Sequence, residues 1–258
     1  MLRLTTLTSI FALAATALMA DAIKVGVSPG EHAEIMEEVA KVAEPMGLDI
    51  DVVEFSDYVI PNTALADGDI QANSFQHVPY LENQMKDRGF ELVVVGNTIT
   101  TPMGIYSDKV TDMAALNDGA KVAIPNDPTN GGRALLLLQD LGLLTLAEGT
   151  GLIPSPLDVS ENPKNLEFLE LDAAQLPRTL ADADIAIINT NYAIAAGLSP
   201  KTDSIAMEKA QSPYVNVIVV RKGDEDQPWV KTLVEAYHSD AVKKFIDDSY
   251  EGAVITSW

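Results

Sequence analysis

Apolar positions change their period repeatedly along this chain, and each change marks an element. In 23–30, IKVGVSPG, a β-branched run ends in a proline–glycine turn, and in 31–47 Ile35, Val39 and Val42 recur at helical spacing. Residues 48–55, LDIDVVEF, alternate apolar and polar as a half-buried strand does. Strand, helix and strand in that order make a β-α-β unit. The rhythm continues with a helix over 61–66, a short strand near 70–72, a helix over 79–88 and a strand over 91–96. After Ser107 a second series begins. It predicts a strand over 120–125, a helix over 132–142 that is apolar nearly all round and hence buried, and strands over 166–171 and 184–189. The tail predicts a strand over 215–222 and a helix from Trp229 to about Asp247. Parallel strands covered by helices, an α/β protein, are the expectation.

Nothing rich in Gly/Ser or Pro separates the two series, and no repeat or low-complexity tract occurs. A boundary must then be tight, with the chain crossing it more than once. Residues 98–107 (TITTPMGIYS) and 212–220 (SPYVNVIVV) are extended, punctuated by proline, and lie between the series. The expected division is a signal peptide over 1–22, a first lobe of 23–105 plus 216–258, and a second lobe of 106–215. Two such crossings would act as a hinge over a ligand.

The first twenty-odd residues differ from all that follow. Arg3 is the only early charge, and 4–20 are uncharged, which reads as a secretory signal peptide with cleavage expected after Ala22. Charge and composition narrow the partners further. With 38 acidic and 17 basic side chains the formal net charge is −21, which repels phosphate backbones, so nucleic acid is not an expected partner. Cysteine is absent, which removes disulfides, thiolate sites, a cysteine nucleophile and lipid attachment through cysteine. Three histidines, His32, His77 and His238, do not share the close spacing of a helical zinc motif, and no metal or other cofactor is expected.

Three clusters could carry binding chemistry. In 69–81, DIQANSFQHVPYL, Phe75, His77 and Tyr80 are read as a loop just beyond a strand, where open α/β sheets take ligands, and Tyr58 could join them. Core packing of the rings and a capping role for His77 are the alternatives. In 125–138, PNDPTNGGRALLLL, Arg133 falls in the first turn of the expected helix, where the macrodipole favours anions and a bound carboxylate would compensate the misplaced cation. A salt bridge to one of the many carboxylates is the alternative there. Finally, Asn189, Asn191 and Asn216 stand just beyond apolar strands, where amides can bond both ends of an amino acid or merely cap helices and turns.

At these same residues the chain resembles the NlpA-type methionine-binding lipoprotein family, the substrate-binding components of bacterial methionine ABC importers. The likeness runs from about Ile23 to Trp258 and rests on VGVSPG, FSDYVIPNTAL, GDIQANSFQHVPYL, VAIPNDPTNGGRALLLL, IINTNYA and SPYVN in that order. It implies the two-lobed periplasmic-binding-protein fold, each lobe a sheet flanked by helices, with the ligand in the cleft between. It also implies that Tyr58, Phe75, His77 and Tyr80 surround a thioether side chain. Arg133 would hold an α-carboxylate, and Asn189 or Asn191 together with Asn216 would fix the amino-acid head group.

The implied function is capture of methionine, the L-form first, for delivery to the membrane permease of an ABC importer, without catalysis. A methionine-containing dipeptide, D-methionine or another small apolar amino acid are alternatives within that class. Outside it stands a periplasmic enzyme acting on an amino-acid derivative, with His77 as its base. Family members typically carry a lipobox cysteine after the signal sequence and this chain has none, so a freely diffusing periplasmic monomer without a lipid anchor is expected. With the Arg133 guanidinium wet in an open cleft, Arg133→Ala is expected to abolish binding and leave the ligand-free melting temperature almost unchanged.

Overall fold

The computed structural model describes residues 22–209 and 212–258. The expected signal peptide lies outside these residues, apart from Ala22. The first series forms β1 (Ile23–Val27), α1 (Glu31–Ala43), β2 (Ile50–Glu54), α2 (Ile60–Asp67), β3 (Ala72–His77), α3 (Val78–Arg88) and β4 (Leu92–Thr100). The second forms β5 (Gly104–Tyr106), β6 (Lys121–Pro125), α4 (Pro128–Asp140), a small ribbon of β7 (Thr145–Leu146) and β8 (Val159–Glu161), then β9 (Glu167–Leu171), β10 (Ile185–Ile188), α5 (Thr190–Ala195), α6 (Pro200–Asp203) and β11 (Ala206–Met207). The chain returns as β12 (Val215–Arg221), α7 (Pro228–Tyr237), α8 (Asp240–Tyr250) and β13 (Ile255–Thr256).

Two sheets result, one per lobe. The first has the order β13-β4-β12-β3-β1-β2 and the second β11-β5-β10-β6-β9. Parallel pairing holds where a helix connects the strands, at β1–β2, β1–β3, β6–β9 and β6–β10. The expectation of parallel sheets fails elsewhere. Strand β12 enters from the other half of the chain and lies antiparallel between β3 and β4, and β5 is antiparallel to β10, so both sheets are mixed.

The cores follow the periodicities. Helix α1 buries Ile35, Met36, Val39 and Ala43 in a cluster with β1, α7 and α8. Helix α4 buries Ala134, Leu135, Leu137 and Leu138 in the core of the second sheet, which explains its apolar circumference. Each leucine so placed contributes roughly 1.5–3 kcal/mol. The single helix expected over the tail is two helices. Ser239 breaks it by capping α8, its hydroxyl accepting from the Val242 N–H at 3.2 Å.

One difference bears on the site. The strand expected near 70–72 runs over 72–77, so Phe75 and His77 lie on β3 itself and Tyr80 on α3, not in a loop. All of β3 is buried. Its amides find partners in α2: Asn62 and Gln76 exchange two hydrogen bonds of 2.7 Å, and Asn73 donates to Asn62 at 2.9 Å. That network fixes the strand from which two of the predicted site residues project.

Candidate functional site

A cavity lies between the two lobes. All eight residues expected at a binding site line it: Tyr58, Phe75, His77 and Tyr80 from the first lobe, and Arg133, Asn189, Asn191 and Asn216. The sequence reading missed His32, Gln76, Thr101 and Asn130 in the same wall. Asn130 was within reach, because it sits in a turn-rich stretch immediately before Arg133. The others carry no local signal.

One end of the cavity is aromatic. The rings of Tyr58, Phe75 and Tyr80 form a triangle with centroids 6.0, 6.0 and 6.1 Å apart, tilted or edge-on to one another as aromatic quadrupoles prefer. The Tyr80 hydroxyl donates to the Tyr58 carbonyl at 2.8 Å, which turns both rings to a fixed wall. Burial pushes both phenols above their ordinary range, so they stay neutral donors.

His77 serves two ends at once. Its Nδ1 accepts the backbone N–H of Tyr80 at 3.1 Å and thereby caps α3. Its proton must therefore sit on Nε2, which faces Asn130 Oδ1 at 3.2 Å. Burial and the nearby Arg133 cation push the imidazole down to about 3. The capping alternative and the cavity wall are thus both realised in one neutral side chain.

Asn130 is the centre of the polar end. Its Nδ2 donates to Asp127 at 2.9 Å, and its Oδ1 accepts from Asn189 Nδ2 at 2.9 Å. Asn191 accepts the Tyr58 hydroxyl across the lobes, and Asn216 donates to the Ile99 carbonyl at 3.2 Å. Two buried amide atoms of the cavity wall keep no partner among the described residues: the acceptor Asn189 Oδ1 and the donor Asn191 Nδ2. Such atoms cost about 1–3 kcal/mol each when left unpaired, which marks them as positions for a ligand.

Arg133 departs from expectation in two ways. Helix α4 begins at Pro128 under an Asp127 cap, so Arg133 lies in its second turn and the anion at the helix N-terminus is the protein's own Asp127. Nor is the guanidinium wet. It is buried, paired with Glu208 at 2.5 Å, bonded through Nη2 to the Thr101 carbonyl at 2.8 Å, and stacked 4.3 Å from the Tyr214 ring centroid. The salt-bridge alternative is realised, and Arg133 lines the cavity as well.

The lobes are closed on each other. Besides Tyr58 to Asn191, the Tyr192 hydroxyl reaches the Ser56 carbonyl at 3.2 Å, and Lys201 pairs with Glu251 at 2.9 Å. Gly30 also lies close to the second lobe. Its φ of +85° suits glycine, and a Cβ there would run into the backbone oxygen of Asn191. Gly30→Ala is therefore expected to hold the lobes apart, weakening ligand binding at least about tenfold, the effect of losing one good hydrogen bond. Titration calorimetry together with the radius of gyration in solution checks it.

With this geometry in place, likeness to known proteins is decisive. The NlpA lipoprotein description matches residues 23–258. This chain belongs to the NlpA lipoprotein family. The D-methionine-binding lipoprotein MetQ of Escherichia coli strain K12 is 52% identical over 239 residues, covering 92% of this chain and 88% of its own. A nutrient-binding protein from Burkholderia cenocepacia, solved bound to methionine, superposes with a TM-score of 0.90 at 52% identity over 92% of this chain and all of its own. A periplasmic substrate-binding protein of an ABC transporter from Coxiella burnetii follows at 0.87 and 46%, over 91% of this chain and 100% of its own.

Membership corrects one expectation. The missing cysteine pointed to a protein without a lipid anchor, whereas the family and its relatives are named as lipoproteins.

Proposed function

We propose that this protein captures methionine between its lobes and delivers it to the membrane permease of an ABC importer. The observation that carries this is that one cavity joins a triangle of rings, a buried free acceptor, Asn189 Oδ1, a buried free donor, Asn191 Nδ2, and the Arg133 guanidinium in its wall. An apolar side chain carrying an ammonium and a carboxylate is the complement of that arrangement. Burying the side chain contributes roughly 1.5–3 kcal/mol. Each hydrogen bond to a charged group adds about 1.5–3 kcal/mol. Both are needed against an association cost on the order of 4–15 kcal/mol.

In this reading Tyr58, Phe75, His77 and Tyr80 hold the thioether chain, Arg133 the carboxylate, and Asn189, Asn191 and Asn216 the head group. The lobes, 23–105 with 216–258 and 106–215, open about the crossings near Thr101 and Tyr214. L-methionine is the first ligand to test, with D-methionine next. The protein acts as a monomer and turns nothing over. His77, the only base that sequence offered, has one nitrogen engaged by backbone and the other protonated, and it stays neutral far below physiological pH.

The test is to denature purified protein and identify any released small molecule by mass spectrometry, with chiral separation. Methionine near one equivalent is the expected result. A protein that releases nothing and gives no thermal shift with excess L- or D-methionine overturns the reading. His77→Ala should weaken binding modestly, and recovered ligand should be chemically unchanged, since a converted product would instead revive the enzyme alternative.

A further inference from the structure

Glu208 follows β11 and is one acidic residue among 38, yet its position is unlike that of the surface carboxylates. Its side chain is 16% exposed and both of its oxygens meet the guanidinium of Arg133, at 3.1 Å and 3.2 Å from Nε and 2.5 Å from Nη2. The remaining Nη2 hydrogen goes to the Thr101 carbonyl. Nη1 is thus the one nitrogen of the fork without a hydrogen-bond partner among the described residues. The same carboxylate accepts from the Met103 N–H at 3.3 Å, and the Glu208 backbone N–H donates to the Met103 carbonyl at 2.9 Å. Glu208 is therefore tied to the chain crossing at 101–103 and grips the guanidinium from the side that leaves Nη1 free.

The consequence is electrostatic. Arg133 is the only residue in the cavity wall with a formal charge near neutrality, because burial holds His32 down to about 4 and His77 down to about 3. Nearby Asp127 spends its carboxylate on Asn130, Thr129 and the end of α4. We infer that Glu208 is a positioning and specificity-determining residue: by cancelling the charge of Arg133 and orienting its fork, it makes the cavity select a zwitterion over an anion of the same shape. A zwitterion enters such a cavity without adding net charge. A bare carboxylate would leave one buried negative charge in excess, which is costly. Without Glu208, Arg133 would be an unpaired cation and the anion its better partner.

This inference rests on the amino-acid-binding reading above. Its test compares methionine with 4-(methylthio)butanoate, the same chain lacking the ammonium, by titration calorimetry on ligand-freed full-length protein. Wild type is expected to prefer methionine. In Glu208→Gln the ratio of the two affinities should fall about ten- to a hundredfold, the range for one interaction with a charged group. Glu208→Asp, which keeps the charge, should retain most of the ratio. Where Glu208→Gln does not fold, Glu208→Asn against Glu208→Asp repeats the comparison one methylene back. An unchanged ratio in the neutral variant, whatever happens to the separate affinities, overturns the inference alone. A wild type that binds neither compound overturns the functional reading and this inference with it.

Discussion

Arg133→Ala is expected to weaken methionine binding at least about a hundredfold, on the scale of one or two lost hydrogen bonds to a charged group. It should also lower the melting temperature of the ligand-free protein by several degrees. The second effect reverses the expectation drawn from sequence, and the reason is Glu208. With the guanidinium gone, a carboxylate that is 16% exposed keeps only the Met103 N–H, and the Tyr214 ring loses the cation 4.3 Å from its centroid. Breaking a buried pair by removing one partner costs about 3–5 kcal/mol, and partial exposure of Glu208 reduces that to roughly 1–3. For a chain of this size each kcal/mol corresponds to about 2–4 °C. Arg133→Ala/Glu208→Ala should recover much of the melting temperature and none of the affinity. Calorimetric melting of both variants decides it, since an unchanged melting temperature in the single variant would mean that the pair does not form in the ligand-free protein.

The aromatic end was legible because its residues are dense in sequence: Phe75, His77 and Tyr80 fall within six positions, and β3 followed directly by α3 brings them to one wall. Their exact setting was not, because a buried strand of ANSFQH carries polar side chains at positions where periodicity looks for apolar ones. Those amides are satisfied by Asn62, eleven to fourteen residues away, a partnership that local pattern does not encode.

Arg133 was found for a reason that proved mistaken. The glycines predict a helix from Gly132, whereas Pro128 at the first helical position and Asp127 before it are the true start signals. Gly132 is there for packing, since a Cβ would meet the Leu152 carbonyl oxygen at 2.8 Å. Glu208 lay beyond reach, being 75 residues from Arg133 in a chain full of acids. The sheet directions failed for a related reason: the return of β12 from the other lobe is a long-range event, and the periodicity of VNVIVV says strand without saying which way it runs.

Stability against pH is expected to peak near pH 6.5, set by three buried groups, His32 and His77 in the cavity wall and Glu31 next to His32 in the chain. His32 and His77 are held down to about 4 and about 3 by burial. An unfolded chain protonates both near 6.5, so as pH falls from 6.5 toward 3 the unfolded state takes up protons that the folded state refuses, and stability is lost. Glu31 works in the opposite sense. Burial raises it to about 8, and neither carboxyl oxygen has a hydrogen-bond partner among the described residues. Between its unfolded value of 4.5 and about 8 the folded protein keeps a proton that the unfolded chain has released, so stability falls as pH rises through that window and levels off above it.

Each of these shifts corresponds to a few kcal/mol at about 1.4 kcal/mol per pH unit. Glu31→Gln, which supplies a neutral side chain of the same shape, should match wild type near pH 4.5 and exceed it by several degrees in melting temperature at pH 8. Below pH 4.5 the profile should stay as it was, because the histidines are untouched, whereas between pH 4.5 and 6.5 the variant should gain stability more steeply than wild type. Melting curves of both proteins at half-unit intervals from pH 4.5 to 8.5 test this. Parallel curves would show that Glu31 is ionised in the folded state, and the carboxylate would then need a cation that the neighbouring His32, at 4.0 Å, could supply only by taking up a proton of its own.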